Sequence, residues 1–167
     1  VANKIKLHLG CGKRDFGKDW VHIDSVDMPH IQLHDVTKLP FKDSTVSVIY
    51  ASHLIAYFDR AEIVPILREW HRVLRPKGIL RIATPDWNVL RLLGDPMLGP
   101  LYGKMGEPAI YHKTVYDKRG LKKVLEDAGF YKVRRYDHKK TEHAHIDDHS
   151  AAYFNGNLIS LNIECYA

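Results

Sequence analysis

At 167 residues the chain has the size of one domain built round one core, and its 45% apolar content is ordinary for such a domain. No apolar run approaches a membrane span, no leader pattern opens the chain, and two cysteines, Cys11 and Cys165, give no disulfide framework or zinc spacing; a cytoplasmic location is expected. A net charge of +5 permits an acidic or phosphorylated partner without singling out nucleic acid, which stays the lesser reading.

The first element is a strand over Ile5, Leu7 and Leu9, alternating with polar residues and ending in the turn Gly10-Cys11-Gly12. Glycines there let backbone N–H groups approach a ligand with no Cβ in the way. Val21 and Ile23 mark a second strand ending at Asp24, whose carboxylate could accept from both hydroxyls of a ribose. A third strand is predicted over Ile31 to Val36 and a fourth, buried one over Val46 to Ala51. Next, Ile63, Ile66, Leu67, Trp70, Val73 and Leu74 repeat at helical spacing, with Asp59 and Glu62 placed as a capping box and Pro76 and Gly78 as the stop. Pro65 predicts either a kink or a helix that starts near it. A fifth strand over Ile79 to Ala83 leads to Thr84-Pro85-Asp86, and a second helix spans about Asp117 to Ala128, stopped by Gly129. Tyr131 to Tyr136 and Leu158 to Tyr166 read as a final antiparallel pair.

The expected fold is therefore α/β: a compact Rossmann-like, seven-stranded, mostly parallel sheet with an antiparallel C-terminal strand, formed by residues 1–167 as one domain. The first crossover helices are shortened or absent, because residues 13–20 are too few for the usual helical connection. The glycines and prolines between Gly94 and Tyr116 mark a lid segment. A nicotinamide site fits poorly, since Asp15 stands at the third glycine position of that fingerprint and Asp24 comes early.

These motifs resemble the class I S-adenosylmethionine-dependent methyltransferases, in particular small members whose glycine motif reads Leu-Gly-Cys-Gly. The resemblance rests on Leu7 to Gly12, His22-Ile23-Asp24, Asp35 to Phe41, Val46 to Ser52 and Glu69 to Gly78, in that order. It implies S-adenosylmethionine as cofactor, with Gly10 and Gly12 at its methionine end, flanked by Leu9 and Cys11. Asp24, with Ser25 beside it, would hold the ribose; Asp35 and Val36 would meet the adenine, and Ser52 would touch the cofactor after the fourth strand. Methyl transfer to a small molecule or a glycan precursor follows, with His53, His112 and Asp86 as candidate bases. The family often carries Glu-His after the fourth strand, where this chain has Ala56 and Tyr57.

Two rivals remain at this stage. The departure at Ala56-Tyr57 is compatible with a non-catalytic protein that binds the cofactor or serves interactions. The run His143-Ala144-His145-Ile146-Asp147-Asp148-His149 offers metal-ligand residue types and comes within one position of the His-x-His-x-Asp-His signature of metallo-β-lactamase-like hydrolases, so a metal-dependent hydrolase using His143, His145 and His149 is the second.

Overall fold

The structure, a computed structural model, describes residues 4–103 and 111–167. Its elements in chain order are β1 (Ile5–Leu9), β2 (Val21–Ile23), β3 (Ile31–Leu33), β4 (Val46–Ser52), α1 (Ile63–Val73), β5 (Leu74–Pro85), α2 (Trp87–Leu93), α3 (Leu98–Tyr102), α4 (Lys118–Asp127), β6 (Tyr131–Arg135), β7 (Tyr153–Phe154), β8 (Asn157–Leu158) and β9 (Ser160–Tyr166). Seven strands form one sheet in the order β3-β2-β1-β4-β5-β9-β6, while β7 and β8 make a separate hairpin. The first five strands are parallel; β9 runs antiparallel to both β5 and β6. The seven-stranded α/β expectation holds, including the antiparallel last strand and the missing helices early in the chain.

The two faces of the sheet are covered in different ways. Alternate residues of a strand point to opposite faces. Leu7, Leu9, Ile49, Ala51, Leu80, Ile82 and Ile163 join the main core with Ile63, Leu67 and Trp70 of α1 and Leu121 and Leu125 of α4. Each leucine or isoleucine among them, fully buried, contributes roughly 1.5–3 kcal/mol. On the other face, His22, His8, Tyr50, Arg81, Glu164 and Arg134 stand in register as one polar row across the sheet.

Side chains from connections cover that polar row. Phe16 lies between two imidazoles, stacked on His8 at 3.8 Å and on His143 at 4.3 Å between ring centroids. Trp20 meets Phe16 edge-on, and Tyr50 lies 4.2 Å from His143. Farther along, Glu164 sits between Arg81 at 2.8 Å and Arg134 at 2.9 Å. Buried carboxylates need such partners, since a lone buried charge is strongly disfavoured.

Several boundaries differ from the sequence reading. β3 stops at Leu33 rather than Val36, because Asp35 folds into a turn in which Thr37 donates to it through N–H and hydroxyl. α1 ends at Val73, before Pro76 and Gly78, and the chain passes directly into β5. The pairing then jumps from Val46↔Leu74 to Val48↔Ile79, so residues 75–78 bulge out. Gly78 is required there: an added Cβ would lie 2.7 Å from the Arg75 carbonyl oxygen. Pro65 falls in the first turn of α1, where its missing N–H would have had no helical partner. Only half of the capping box forms, as Glu62 accepts from the Asp59 N–H. The predicted last strand is split into β8 and β9.

Burial holds the histidines of the polar face uncharged. His8 is held down at about 2 and His143 at about 4, mainly by desolvation, and His22 is lowered for the same reason. A histidine lowered on folding takes up its proton more readily in the unfolded chain. Its contribution to stability is therefore complete above the unfolded value near 6.5 and is lost progressively below it. The unfolding free energy measured in urea should drop below pH 6 by roughly 1.4 kcal/mol per pH unit for each such histidine, and His8→Phe should flatten that slope. A slope unchanged by His8→Phe would contradict this account.

Candidate functional site

The β1 and β2 tips form the first half of the site. Gly10 and Gly12 both take positive φ, +65° and +52°, which explains glycine at each. The Gly10 N–H donates to the Ile23 carbonyl at 2.8 Å, and the Gly12 N–H donates to Asp24 Oδ2 at 2.7 Å. Val26 N–H, and more weakly the Ser25 hydroxyl, donate to Asp24 Oδ1. Asp24 thus faces the glycine turn, held from both sides. A carboxylate oxygen can accept more than one hydrogen bond, so these bonds orient the group without exhausting it. The space beside Gly12 is open, with no atom within 4 Å of an added Cβ.

The remaining expected cofactor residues are placed unevenly. The Leu9 side chain is fully buried in the core, so only its backbone is available. Cys11 is equally buried, and desolvation followed by the Asp24 charge pushes its thiol up to about 12, which makes it inert. Ser52 ends β4 with a buried hydroxyl that has no hydrogen-bond partner among the described residues. Asp35 is exposed, and the two hydrogen bonds from Thr37 lower its carboxyl. Val36 packs its side chain on the core and accepts the Trp70 indole N–H at 2.7 Å.

The second half of the site is a cavity of about 360 Å³ beyond β4. His53, Tyr57, His112 and His149 line it, with apolar walls from Pro100 of α3 and from Ile159. His53 takes a positive φ of 53°, a conformation rare outside glycine, and its N–H donates to the Ala83 carbonyl at 2.7 Å. Burial, then the neighbouring His149 and His112, hold its imidazole at about 3. Desolvation also lowers His112 and His149. All three imidazoles are therefore neutral at pH 7. The Leu101 carbonyl can only accept, so His112 carries its proton on Nδ1, 3.2 Å away, and presents Nε2 as the lone-pair nitrogen.

The two halves adjoin. Burial and the Asp24 charge raise the Tyr57 phenol, so this cavity residue lies within electrostatic reach of the strand tip. Arg14, just after the glycine turn, approaches His149 Nε2 at 3.4 Å and donates to the Asp147 carbonyl at 3.0 Å. Tyr57 lay in the sequence only as a departure from Glu-His. Arg14 and His149 carried no signal for this site, because nothing local in sequence joins residue 14 to residue 149.

Asp86 does not fit its expected role as a base. It is 1% exposed, accepts the Asn88 N–H at the start of α2 and pairs with Arg135 at 2.8 Å. A buried carboxylate engaged by a guanidinium and a helix N–H has its oxygens occupied, and its role here is structural. The expected lid, 94–116, lies partly outside the described residues. Of the described part, α3 and His112 form a cavity wall, and Lys113 and Thr114 donate their N–H groups to the Ala56 carbonyl at 2.7 and 3.1 Å.

The described residues do not assemble the metal alternative. Among the described residues, no group of three or more His, Cys, Asp or Glu side chains could hold a metal ion. His143 is stacked on Phe16, while His149 stands 5.0 Å from His53. Asp148 accepts from the Tyr50 hydroxyl and from Ser150.

Comparison with known proteins agrees with this geometry. Residues 11–82 match a family model described as a methyltransferase domain. The fold is similar to an S-adenosylmethionine-dependent methyltransferase from Archaeoglobus fulgidus (TM-score 0.68, 16% identity, covering 98% of this chain and 86% of that one). It is also similar to one from Methanosarcina mazei (0.61, 16%, 99% and 93%) and to human N-acetylserotonin methyltransferase in complex with S-adenosylmethionine (0.63, 13%, 97% and 47%). No curated protein matches the sequence.

The two glycines make separable predictions. In Gly10→Ala the new Cβ would lie 3.0 Å from Leu54 in addition to the strain of positive φ, whereas Gly12→Ala adds strain alone. Urea denaturation should show Gly12→Ala costing about 1–2 kcal/mol and Gly10→Ala costing more.

Proposed function

Because the chain carries the class I S-adenosylmethionine-dependent methyltransferase fold, with a methyltransferase domain matched over residues 11–82, we propose that it transfers the methyl group of S-adenosylmethionine to an oxygen or nitrogen of a small acceptor. The observation that carries this reading is Asp24 held against the Gly10–Gly12 turn, beside a cavity lined by three neutral histidines. The glycine turn, Asp24 and the unpartnered Ser52 hydroxyl fit the cofactor. Gly10 and Gly12 would lie along its methionine portion, Asp24 would hold its ribose, and Asp35 and Val36 would border its adenine.

When bound, the cofactor supplies a methyl group on a positively charged sulfur; the protein's part is to align the acceptor, exclude water and receive a proton. His53 is the proposed base: it lines the cavity, follows Ser52 directly in the chain, and is uncharged at neutral pH, so its lone pair can accept a proton. As the acceptor's O–H or N–H bond breaks, the proton passes to the His53 lone pair. Methyl transfer removes one positive charge from the site, and this proton returns one, so the net charge around the buried imidazole is kept. His112, whose Nδ1–H is taken by the Leu101 carbonyl, is placed to hold the acceptor by a hydrogen bond to Nε2. A small molecule or a glycan precursor suits the size of the cavity. In this reading α3 and His112 border the acceptor, residues 1–167 act as one domain, and the location is cytoplasmic.

Calorimetric titration with S-adenosylmethionine should show binding that weakens by about 1.5–3 kcal/mol in Asp24→Ala, the cost of a hydrogen bond to a charged group. Equal affinity in both proteins would overturn the assignment of Asp24. With an acceptor panel, His53→Gln should lower kcat roughly 100- to 10,000-fold while cofactor affinity stays unchanged. Cofactor binding without turnover of any acceptor would favour the non-catalytic reading.

A further inference from the structure

We propose that Ser160 and Asn162, on β9, are positioning residues that hold the His53 imidazole as its Nε2–H tautomer and leave Nδ1 as the proton-accepting nitrogen. The purpose of that nitrogen rests on the methyl-transfer reading; the tautomer itself does not.

Fixed donor directions carry the argument. The Ser150 carbonyl can only accept, so the amide it meets at 2.9 Å is the NH2 group of Asn162. Asn162 is 1% exposed, and its other amide atom, Oδ1, therefore faces the Ser160 hydroxyl at 2.9 Å. An amide oxygen needs a donor, and Ser160 has one proton, which it gives to Asn162. Its oxygen is left to accept, and the group that reaches it is His53 Nε2 at 3.3 Å. Nε2 must then carry the ring proton. The opposite tautomer would draw the Ser160 proton towards His53 and leave Asn162 Oδ1 buried against a lone pair.

The far end of the network is anchored as firmly. The Ser150 N–H and hydroxyl both donate to Asp148 Oδ1, at 2.8 and 2.5 Å, and the Tyr50 hydroxyl donates to Oδ2. The Asp148 carboxylate thus fixes the segment whose carbonyl orients Asn162. Ser160 is fully buried, and it pairs with Pro85 at the end of β5, in the strand next to the one that delivers His53. Imidazole, serine and asparagine are thereby set on the rigid sheet, with a lone-pair nitrogen left on a ring that lines the cavity.

The test is two-bond 1H–15N correlation spectroscopy of the 15N-labelled full chain at pH 7 without cofactor, with the His53 ring signals identified by their loss in His53→Gln or by through-bond assignment. Wild type should show Nε2–H in excess by at least about tenfold, with Nδ1 unprotonated. Ser160→Ala and Asn162→Ala, checked for folding by thermal melting, should each collapse this excess towards a mixture. A predominant Nδ1–H form in wild type would overturn the proposal, and so would folded variants that both keep the wild-type tautomer. Should neither variant fold, the wild-type tautomer decides alone. Since no cofactor is present, a wrong tautomer would refute the positioning roles and leave the methyl-transfer reading to its own titration.

Discussion

The stack of Phe16 between His8 and His143 is the contact on which the arrangement depends. The connection from β1 to β2 is too short to hold a crossover helix, yet the sheet face beside it must be shielded from water. Aromatic side chains from that connection do part of the work, and a segment near residue 143 does the rest. Drawing this segment onto the sheet delivers Asp148, His149 and Ser150 to the strand tips. The cavity wall, the Arg14 contact and the buried network around Asn162 all follow from a missing helix.

This layer also sets the electrostatic character of the molecule. An apolar helix over the sheet would have required an apolar strand face. Side chains from loops instead meet a row of histidine, tyrosine, arginine and glutamate, whose one carboxylate is shared by two guanidinium groups and whose imidazoles are kept neutral. The neutrality reaches the site, where His53, His112 and His149 share a hollow that would be repulsive if they were protonated together.

Sequence carries the fold well wherever periodicity is imposed by the helical face. The alternation in Ile5 to Leu9 and the spacing from Ile63 to Val73 both report burial against the same core, and both elements appear as expected. The Gly10–Gly12 turn and Asp24 were legible because backbone geometry and strand-tip chemistry demand those residue types. Asp86 misled because position at a strand end says nothing of Arg135, which arrives from 49 residues away. His143 misled for the same reason: a histidine that stacks on Phe16 reads, in sequence, like a metal ligand. Tyr57, Arg14 and His149 were hidden because each gains meaning only from a long-range neighbour. The helices α2 and α3 are short and lack a long apolar repeat, so they left little periodic trace.

The cavity wall is fastened to the turn after β4 through main-chain groups, with the amides of Lys113 and Thr114 sharing the Ala56 oxygen. Amide and carbonyl groups are present whatever side chains accompany them. The wall can therefore exchange its side chains without loosening its attachment, while the glycine turn and Asp24 stay under strict geometric demand. Side chains are thus free to drift on one side of the hollow while the backbone geometry holds still on the other, a division of labour that lets one scaffold be retuned.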